Sequence, residues 1–403
     1  SDSSWITVTG GSASIDSFET HKITTSADGA SSVYTADVDG DGDMDVLSAS
    51  LSDDTIAWHE NDGSENFTKH AITTSADLAL SVYATDVDGD GDMDVLSASR
   101  NDHTIAWYEN DGSENFTEHP ITTTAVGASS VFTADTDGDG DLDVLTASMD
   151  SDTIAWYEND GSENFVEHII TTTADYAMSV YAADMDGDGD MDVLSASFGD
   201  DTIAWYENDG SQNYTSHLVS YGDSPHSVFA ADVDGDGDMD VLSALRGSGN
   251  GMHPSNNNYG DIAWYENDGS ENFTAHLISS ADNAISVKAI DMDGDGDMDV
   301  LSASYGDDMI AWYENDGSEN FSTHKVTTSA DGAWSVTVAD MDGDGDMDML
   351  SASVDDDTIA WYENKSSSRT GDGVVKYQVA ANESSEQRTG TITVAGKTHT
   401  VIQ

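Results

Sequence analysis

Carboxylates at every second position are the residues of this sequence best placed to do chemistry. The stretch Asp37-Val38-Asp39-Gly40-Asp41-Gly42-Asp43-Met44-Asp45 carries five of them in nine residues. Oxygen ligands at positions 1, 3 and 5, a glycine at 6 for the sharp turn and a backbone carbonyl at 7 let a short loop wrap a hard dication. An EF-hand would then need Glu at position 12, but Ser48 stands there, so Asp45 at position 9 is the candidate closing carboxylate. The candidate ligands of this loop are therefore Asp37, Asp39, Asp41, Asp43 and Asp45.

The same five aspartates return as Asp86, Asp88, Asp90, Asp92 and Asp94, and again as Asp135, Asp137, Asp139, Asp141 and Asp143. Further copies are Asp184, Asp186, Asp188, Asp190 and Asp192, then Asp232, Asp234, Asp236, Asp238 and Asp240. The last two are Asp291, Asp293, Asp295, Asp297 and Asp299, and Asp340, Asp342, Asp344, Asp346 and Asp348. Five like charges so close repel unless a cation sits among them. A solvated acidic turn is the bland alternative, and seven copies in register argue against it. About seven Ca²⁺ ions are expected, one per repeat. Calcium is preferred to Mg²⁺ because the loops offer many protein oxygens and little room for retained water.

The elements that position these loops recur with them. The Asp blocks are spaced by 49, 49, 49, 48, 59 and 49 residues, and a second block, Ile-Ala-Trp-Tyr-Glu-Asn, also occurs seven times, with His59 replacing Tyr in its first copy. A third block, Phe/Tyr-x-x-His, ends at His21, His70, His119, His168, His217, His276 and His324. Each unit reads as four short strands: Ser32–Ala36, Asp45–Ser50, Thr55–Glu60 and Phe67–Thr73 in the first. Asn61-Asp62-Gly63-Ser64 is the turn before the fourth, since these residues tolerate positive φ. Seven such units predict an all-β fold, a seven-bladed β-propeller of four-stranded blades spanning 18–364. A β-solenoid would need shorter repeats. The chain opens with a fourth strand, 18–25, and its last unit ends after a third. The N-terminal strand is therefore expected to complete the seventh blade and protect its edge.

Lys plus Arg number 11 against 80 Asp plus Glu, a formal charge of −69. Nucleic-acid binding through a basic surface is excluded, and docking on anionic lipid is disfavoured. The hydrophobic fraction of 37%, with 9 Trp, supplies a core, so the acid must be ordered or neutralised rather than disordered. With 0 Cys there are no disulfides, thiolate metal sites or cysteine nucleophiles. No apolar run approaches the ~18 residues that span a bilayer, so membrane insertion is not expected. Calcium loops of this kind bind at ~10⁻⁴–10⁻³ M, which fills them outside cells. The expected location is extracellular or at the surface of a bacterial cell.

With these motifs in place, residues 18–364 resemble the VCBS/FG-GAP repeat propellers, including the integrin α-subunit head. The resemblance implies seven blades with calcium on the loops between first and second strands. It does not fix one function, because the family includes adhesion receptors, lectins and accessory domains of polysaccharide-degrading enzymes. The flanks, 1–14 and 366–403, resemble a BACON-type immunoglobulin-like domain through Ser4-Trp5-Ile6-Thr7-Val8, Val379-Ala380-Ala381-Asn382 and Arg388-Thr389-Gly390-Thr391-Ile392-Thr393-Val394. That implies a propeller inserted into a small, split β-sandwich whose opening strands are missing. They are either truncated or supplied by another molecule, and the second reading predicts polymerisation by strand addition.

Differences between repeats gather in two loops expected on the face opposite the Asp loops. They yield the ligand-face candidates Arg100, Tyr176, Phe198, His226, Arg246, His253, Tyr305 and Trp334, the fifth blade adding a long insertion from Arg246 to Asp261. Neutral drift of tolerant loops is the alternative. The repeated His and Trp residues are expected to pack. Sequons such as Asn66-Phe67-Thr68 fall in the repeated turn. There is no nucleophile triad, phosphate loop or dinucleotide motif. A lyase base could come only from His226 and His253 beside Arg246. The expected function is non-enzymatic adhesion or assembly in the extracellular matrix or at the cell surface, with other copies of the chain, a matrix protein or a glycan as partner. A glycan-binding lectin is the second reading.

Overall fold

A computed structural model describes residues 6–9, 15–247, 260–366, 376–379, 389–394 and 397–402. Seven four-stranded antiparallel sheets follow one another around an axis. Their innermost strands are Ala30–Ala36, Ala79–Thr85, Ala128–Ala134, Ala177–Ala183, Pro225–Ala231, Ala284–Ile290 and Ala333–Ala339. In the first blade the order outward continues with Asp45–Ser50, Thr55–Asn61 and Phe67–Thr73.

Burial follows this radial order. Every residue of the second strand Asp45–Ser50 is buried, because both its faces meet neighbouring blades, whereas Phe67–Thr73 on the rim is half-exposed. Seven hydrophobic clusters fill the seven interfaces between blades. The first joins Leu47, Ile56 and Trp58 to Val82, Ala84 and Tyr108 of the next blade, and the last joins Leu350, Ile359 and Trp361 to Val33 and Val46 of the first. The seven Trp side chains of the third strands are 1–2% exposed, so each buries a large apolar area in its interface. Behind each Trp a His ring stacks at 4.3–4.7 Å between centroids. Its Nε2 lies 2.7–2.9 Å from a Glu carboxylate of the third strand. The repeated histidines are thus packing residues spread around the rim.

Closure uses the same register as every other blade. Ile15–Thr24 pairs with Thr358–Ser366, placing Phe18 opposite Asn364 and His21 opposite Trp361, as Phe67 stands opposite Asn61 and His70 opposite Trp58. The ladder runs past the repeat, since Ile15 pairs with Ser366, so the closing strand starts before residue 18. Near the axis, a serine of each innermost strand accepts the backbone N–H of a valine in the next blade at 3.2–3.5 Å. The ring runs through Ser32, Ser81, Ser130, Ser179, Ser227 and Ser286 and returns from Ser335 to Val33.

Outside the propeller, Ile6–Thr9 pairs antiparallel with Lys376–Val379, and Thr389–Val394 pairs with Lys397–Ile402. The two ends of the chain therefore share one ladder. Trp5 and the segments 10–14, 367–375 and 380–388 lie outside the described residues.

Candidate functional site

The Asp loops occupy one face of the ring, between first and second strands. In each, three carboxylates turn the loop on itself by accepting backbone N–H groups, and in four loops the position-1 carboxylate (Asp86, Asp135, Asp184 and Asp291) does so with both oxygens. The position-1 carboxylate accepts the N–H of the position-6 glycine at 2.9–3.2 Å. That glycine must reach φ near +100°, as Gly42 does at 101°, a conformation side chains resist. Position 3 accepts from the N–H of position 5, and position 5 from that of position 7. Positions 3 and 5 thereby keep a second oxygen for another partner. Buried Oδ1 atoms of Asp37, Asp232 and Asp340 carry no hydrogen bond, an arrangement that fits a cation rather than a solvated turn.

The five aspartates are not equivalent. Carboxylates of Asp37, Asp39 and Asp41 lie within 4.8 Å of one another, as do those of Asp86, Asp88 and Asp94, and two further loops repeat the second grouping. Position 7 does not join them through its side chain. The Asp43 carboxylate lies against Gly63 of the Asn-Asp-Gly turn, where a Cβ would collide with it, and Asp92, Asp141, Asp190, Asp238 and Asp297 do the same at their own turn glycines. Position 7 is left with its backbone carbonyl to offer.

Position 9 is a strut as well as a candidate ligand. Asp45 is fully buried, its Oδ2 accepting from Val38 N and its Oδ1 from Asn61 N at 3.0 and 2.8 Å, and all seven copies repeat this pair of bonds. Burial pushes Asp45, Asp94, Asp192, Asp240 and Asp299 up to about 6, and Asp143 and Asp348 to about 7, against the pull of those N–H groups. Asp293 rises to about 7 through burial and the charges of Asp295 and Asp299, the expected response of crowded acids with no cation among them. The Asn that receives this strut also latches the next blade to the loop before it: Asn110 Nδ2 donates to Val38 O at 3.0 Å.

The opposite face carries a funnel on the axis, a cavity of about 560 Å³. Leu51, Leu78, Leu80, Arg100, Met149, Asp175, Tyr176, Met178, Phe198, His226, Arg246 and Trp334 line it, so varied positions from several blades share one wall. Tyr305 joins through its ring, 5.9 Å from Trp334. His253 lies outside the described residues.

Within the funnel, Arg100 meets Asp150 through Nε and Nη2 at 3.3 and 3.0 Å, and Nη2 also reaches the Tyr176 hydroxyl. Its guanidinium lies over the Tyr176 ring, and that of Arg246 over Phe198, at 5.9 and 5.8 Å. Arg246 Nε donates to Asn283 Oδ1 at 2.7 Å. His226 is 8% exposed and meets Trp334 edge-on at 5.5 Å between ring centroids. Its Nδ1 lies 3.1 Å from the Ile285 carbonyl, and burial lowers its pKa to about 4. A carbonyl only accepts, so Nδ1 carries the proton and Nε2 presents a lone pair. That Nε2 is buried with no hydrogen-bond partner.

Below the funnel, a cavity edged by the seven axial serines shares Leu80, Met178, His226 and Trp334 with it. Deeper still, those serines border a channel ringed by Tyr34, Tyr83, Phe132, Tyr181 and Phe229. Lys288 stands at the sixth equivalent position, 5.4 Å from the Tyr34 centroid, its Nζ reaching Thr337 Oγ1 at 3.4 Å; burial pushes its amine down to about 8. Lys288 is not among the sequence-predicted residues; its signal is a Lys where five of the seven repeats carry Tyr or Phe. At the sequons, Asn66 Nδ2 donates to the Asp62 carboxylate and Ser64 O, so turn chemistry accounts for the Asn.

A family model described as FG-GAP-like repeat matches residues 37–97, 86–146, 135–195, 184–243, 255–302 and 291–351. No curated protein matches in sequence. Among solved structures, a lectin of Agrocybe aegerita, described for specific recognition of non-reducing terminal N-acetylglucosamine, is similar with a TM-score of 0.53 and 17% identity, over 89% of this chain and 87% of that one. The WD40 β-propeller domain of Doa1 is similar at 0.59 and 14%, over 89% and 98%. A functionally unknown protein from Desulfotomaculum acetoxidans is similar at 0.52 and 12%, over 75% and 87%. At these identities the likeness is one of fold.

Proposed function

The chain belongs to the FG-GAP-like repeat family, and on that premise we propose that it is a calcium-stabilised, non-enzymatic propeller that works outside the cell by contact, at the cell surface or in the matrix. The axial funnel carries this reading: an apolar, aromatic cavity with a few convergent polar groups is the usual form of a binding site. His226 is a weak candidate for a lyase base, since burial lowers its pKa to about 4, well below the range in which a base takes protons efficiently near neutral pH. Calcium is structural in this account. Positions 1, 3, 5 and 9 would hold it with the position-7 carbonyl, and bound charge would relieve the repulsion among the carboxylates.

The ligand we favour is a glycan. Half-exposed aromatic rings suit the C–H faces of sugar rings, and a propeller of similar fold is described as recognising N-acetylglucosamine. The experiment is a glycan-array screen of the calcium-loaded chain beside its Trp334→Ala variant. Binding that disappears in the variant, with the melting temperature kept, supports the funnel as a glycan site; binding that survives unchanged overturns it. A second reading, assembly through the terminal β-sheet, is favoured by the ladder between Ile6–Thr9 and Lys376–Val379, which among the described residues is a two-stranded sheet that a strand of another copy would extend. Electron microscopy in calcium would show ordered polymers if this holds and discrete rings if it does not.

A further inference from the structure

The glycan reading leaves the chemistry of the sugar open, and the funnel narrows it. In a chain with a formal charge of −69, anions are repelled at long range and cations collect almost anywhere on the surface. Yet the only two arginines among the described residues, Arg100 and Arg246, both line this one cavity. Each lies over an aromatic ring, and Arg100, whose Nε and Nη2 hold Asp150, keeps an Nη1 that bonds to no described residue. A third cation, Lys288, stands farther down the same axis.

The polar atoms between these charges complete the pattern. Each axial serine already accepts one backbone N–H, so each retains an O–H to donate. Buried and unpartnered, His226 Nε2 is the opposite, an acceptor at the funnel floor. A ligand matching this set brings an oxyanion for the guanidinium groups and hydroxyls, a donor for His226 Nε2, and a ring with an apolar face for Trp334. Planar guanidinium groups recognise carboxylates by paired N–H donors, better than they recognise neutral hydroxyls.

We propose that the axial funnel binds a uronic-acid unit of an acidic polysaccharide, with Arg100 and Arg246 meeting its carboxylate, Trp334 its ring face and His226 Nε2 one of its hydroxyls. This rests on the glycan reading above and adds the acid. Whole-molecule repulsion then acts against the ligand while the funnel attracts it, so added salt strengthens capture until the local contacts are themselves screened.

The test is calorimetric titration of the calcium-loaded chain with a hyaluronan hexasaccharide, its carboxyl-reduced analogue and a neutral hexasaccharide bearing one sulfate. The expected result is at least tenfold tighter binding of the carboxylate form than of either other probe. Arg100→Gln and Arg246→Gln should each remove that preference while the reduced analogue binds as before, and His226→Phe should weaken both forms. Acidic sugars could also bridge to the Asp loops through calcium, but that binding would ignore both arginine substitutions. Melting curves in calcium establish that the variants are folded. Equal binding of the acidic and reduced forms overturns the acid inference and leaves the glycan reading standing. Preference for the sulfate overturns the carboxylate assignment. Absence of binding to all three probes, together with an array showing no glycan captured, overturns both.

Discussion

The two faces of the ring are built from the same repeats and end up opposite in kind. On the Asp-loop face every blade solves one problem in one way: three carboxylates turn the loop and a fourth, buried, ties it to the third strand. On the other face the equivalent positions diverge, with Leu51, Arg100, Met149 and Phe198 following the second strands of successive blades. Sameness distributes an interaction around the ring and makes it stabilise the whole. Difference concentrates residues that occur once, here two arginines, a histidine and a tryptophan, at the single place where all blades meet. Repetition serves the fold, and departures from it gather in the funnel.

Chelation should break this contrast most strongly. If each Asp loop holds one ion, free calcium tenfold above its dissociation constant would add ~1.4 kcal/mol per site, and seven sites on the order of 10 kcal/mol. Calorimetry in calcium and then in excess EGTA should show a large drop in melting temperature; an unchanged melt would remove calcium from the account. Asp94→Ala comes next. It strands two buried N–H groups, those of Val87 and Asn110, and should cost roughly 2–6 kcal/mol by denaturant unfolding with or without calcium. Asp90→Asn, at an exposed position of the same loop, should destabilise in calcium only. Equal behaviour of the two variants would erase the division between strut and ligand.

His59 offers a smaller effect with a defined sign. Burial lowers its pKa to about 4 from an ordinary 6.5, so the folded state holds it neutral while the unfolded chain takes up a proton. The associated stability is present above pH ~6.5 and is lost as pH falls toward 4. It amounts to roughly 3 kcal/mol, since each tenfold loss of proton affinity on folding is worth about 1.4 kcal/mol. His59→Tyr restores the residue of the other six copies, whose hydroxyls in four blades bond the same serine position where Ser48 now meets His59 Nε2. The variant should therefore unfold less readily than the parent near pH 4.5 and match it near pH 7.5. Smallest of all, Trp334→Ala on the funnel face should shift stability by about 1 kcal/mol or less, because the ring is only partly buried, while ligand capture falls tenfold or more.

Blade number, strand order and the acidic loops were legible because each is written seven times, and a pattern of period 49 survives any local ambiguity. The varied rim was legible for the converse reason. Less could be read where function depends on which repeated atoms face each other. The Ser of each innermost strand looks like filler until the ring places it against the next blade's valine N–H. The Asn ending each third strand looks like a turn residue, yet Asn110 also holds Val38 O of the blade before. Spacing assigned Asp43 a backbone carbonyl, but could not say where its carboxylate goes; it packs on Gly63 of the turn. His226 was visible as a ligand-face candidate, but not its tautomer, because the backbone carbonyl that fixes it lies 59 residues away in sequence.

The strand that closes the ring has a mechanical consequence. Ile15 and Ser366 face each other at the open end of the Ile15–Thr24 and Thr358–Ser366 ladder, so the two chain ends leave the propeller side by side. A pull separating them, once the outer Ile6–Thr9 and Lys376–Val379 ladder has parted, loads the hydrogen bonds one rung at a time, from Ser366 toward Ile359, rather than all together in shear. Anchored at both ends, the molecule would give way at this zipper while its other blades remained intact, and would re-form when the tension fell.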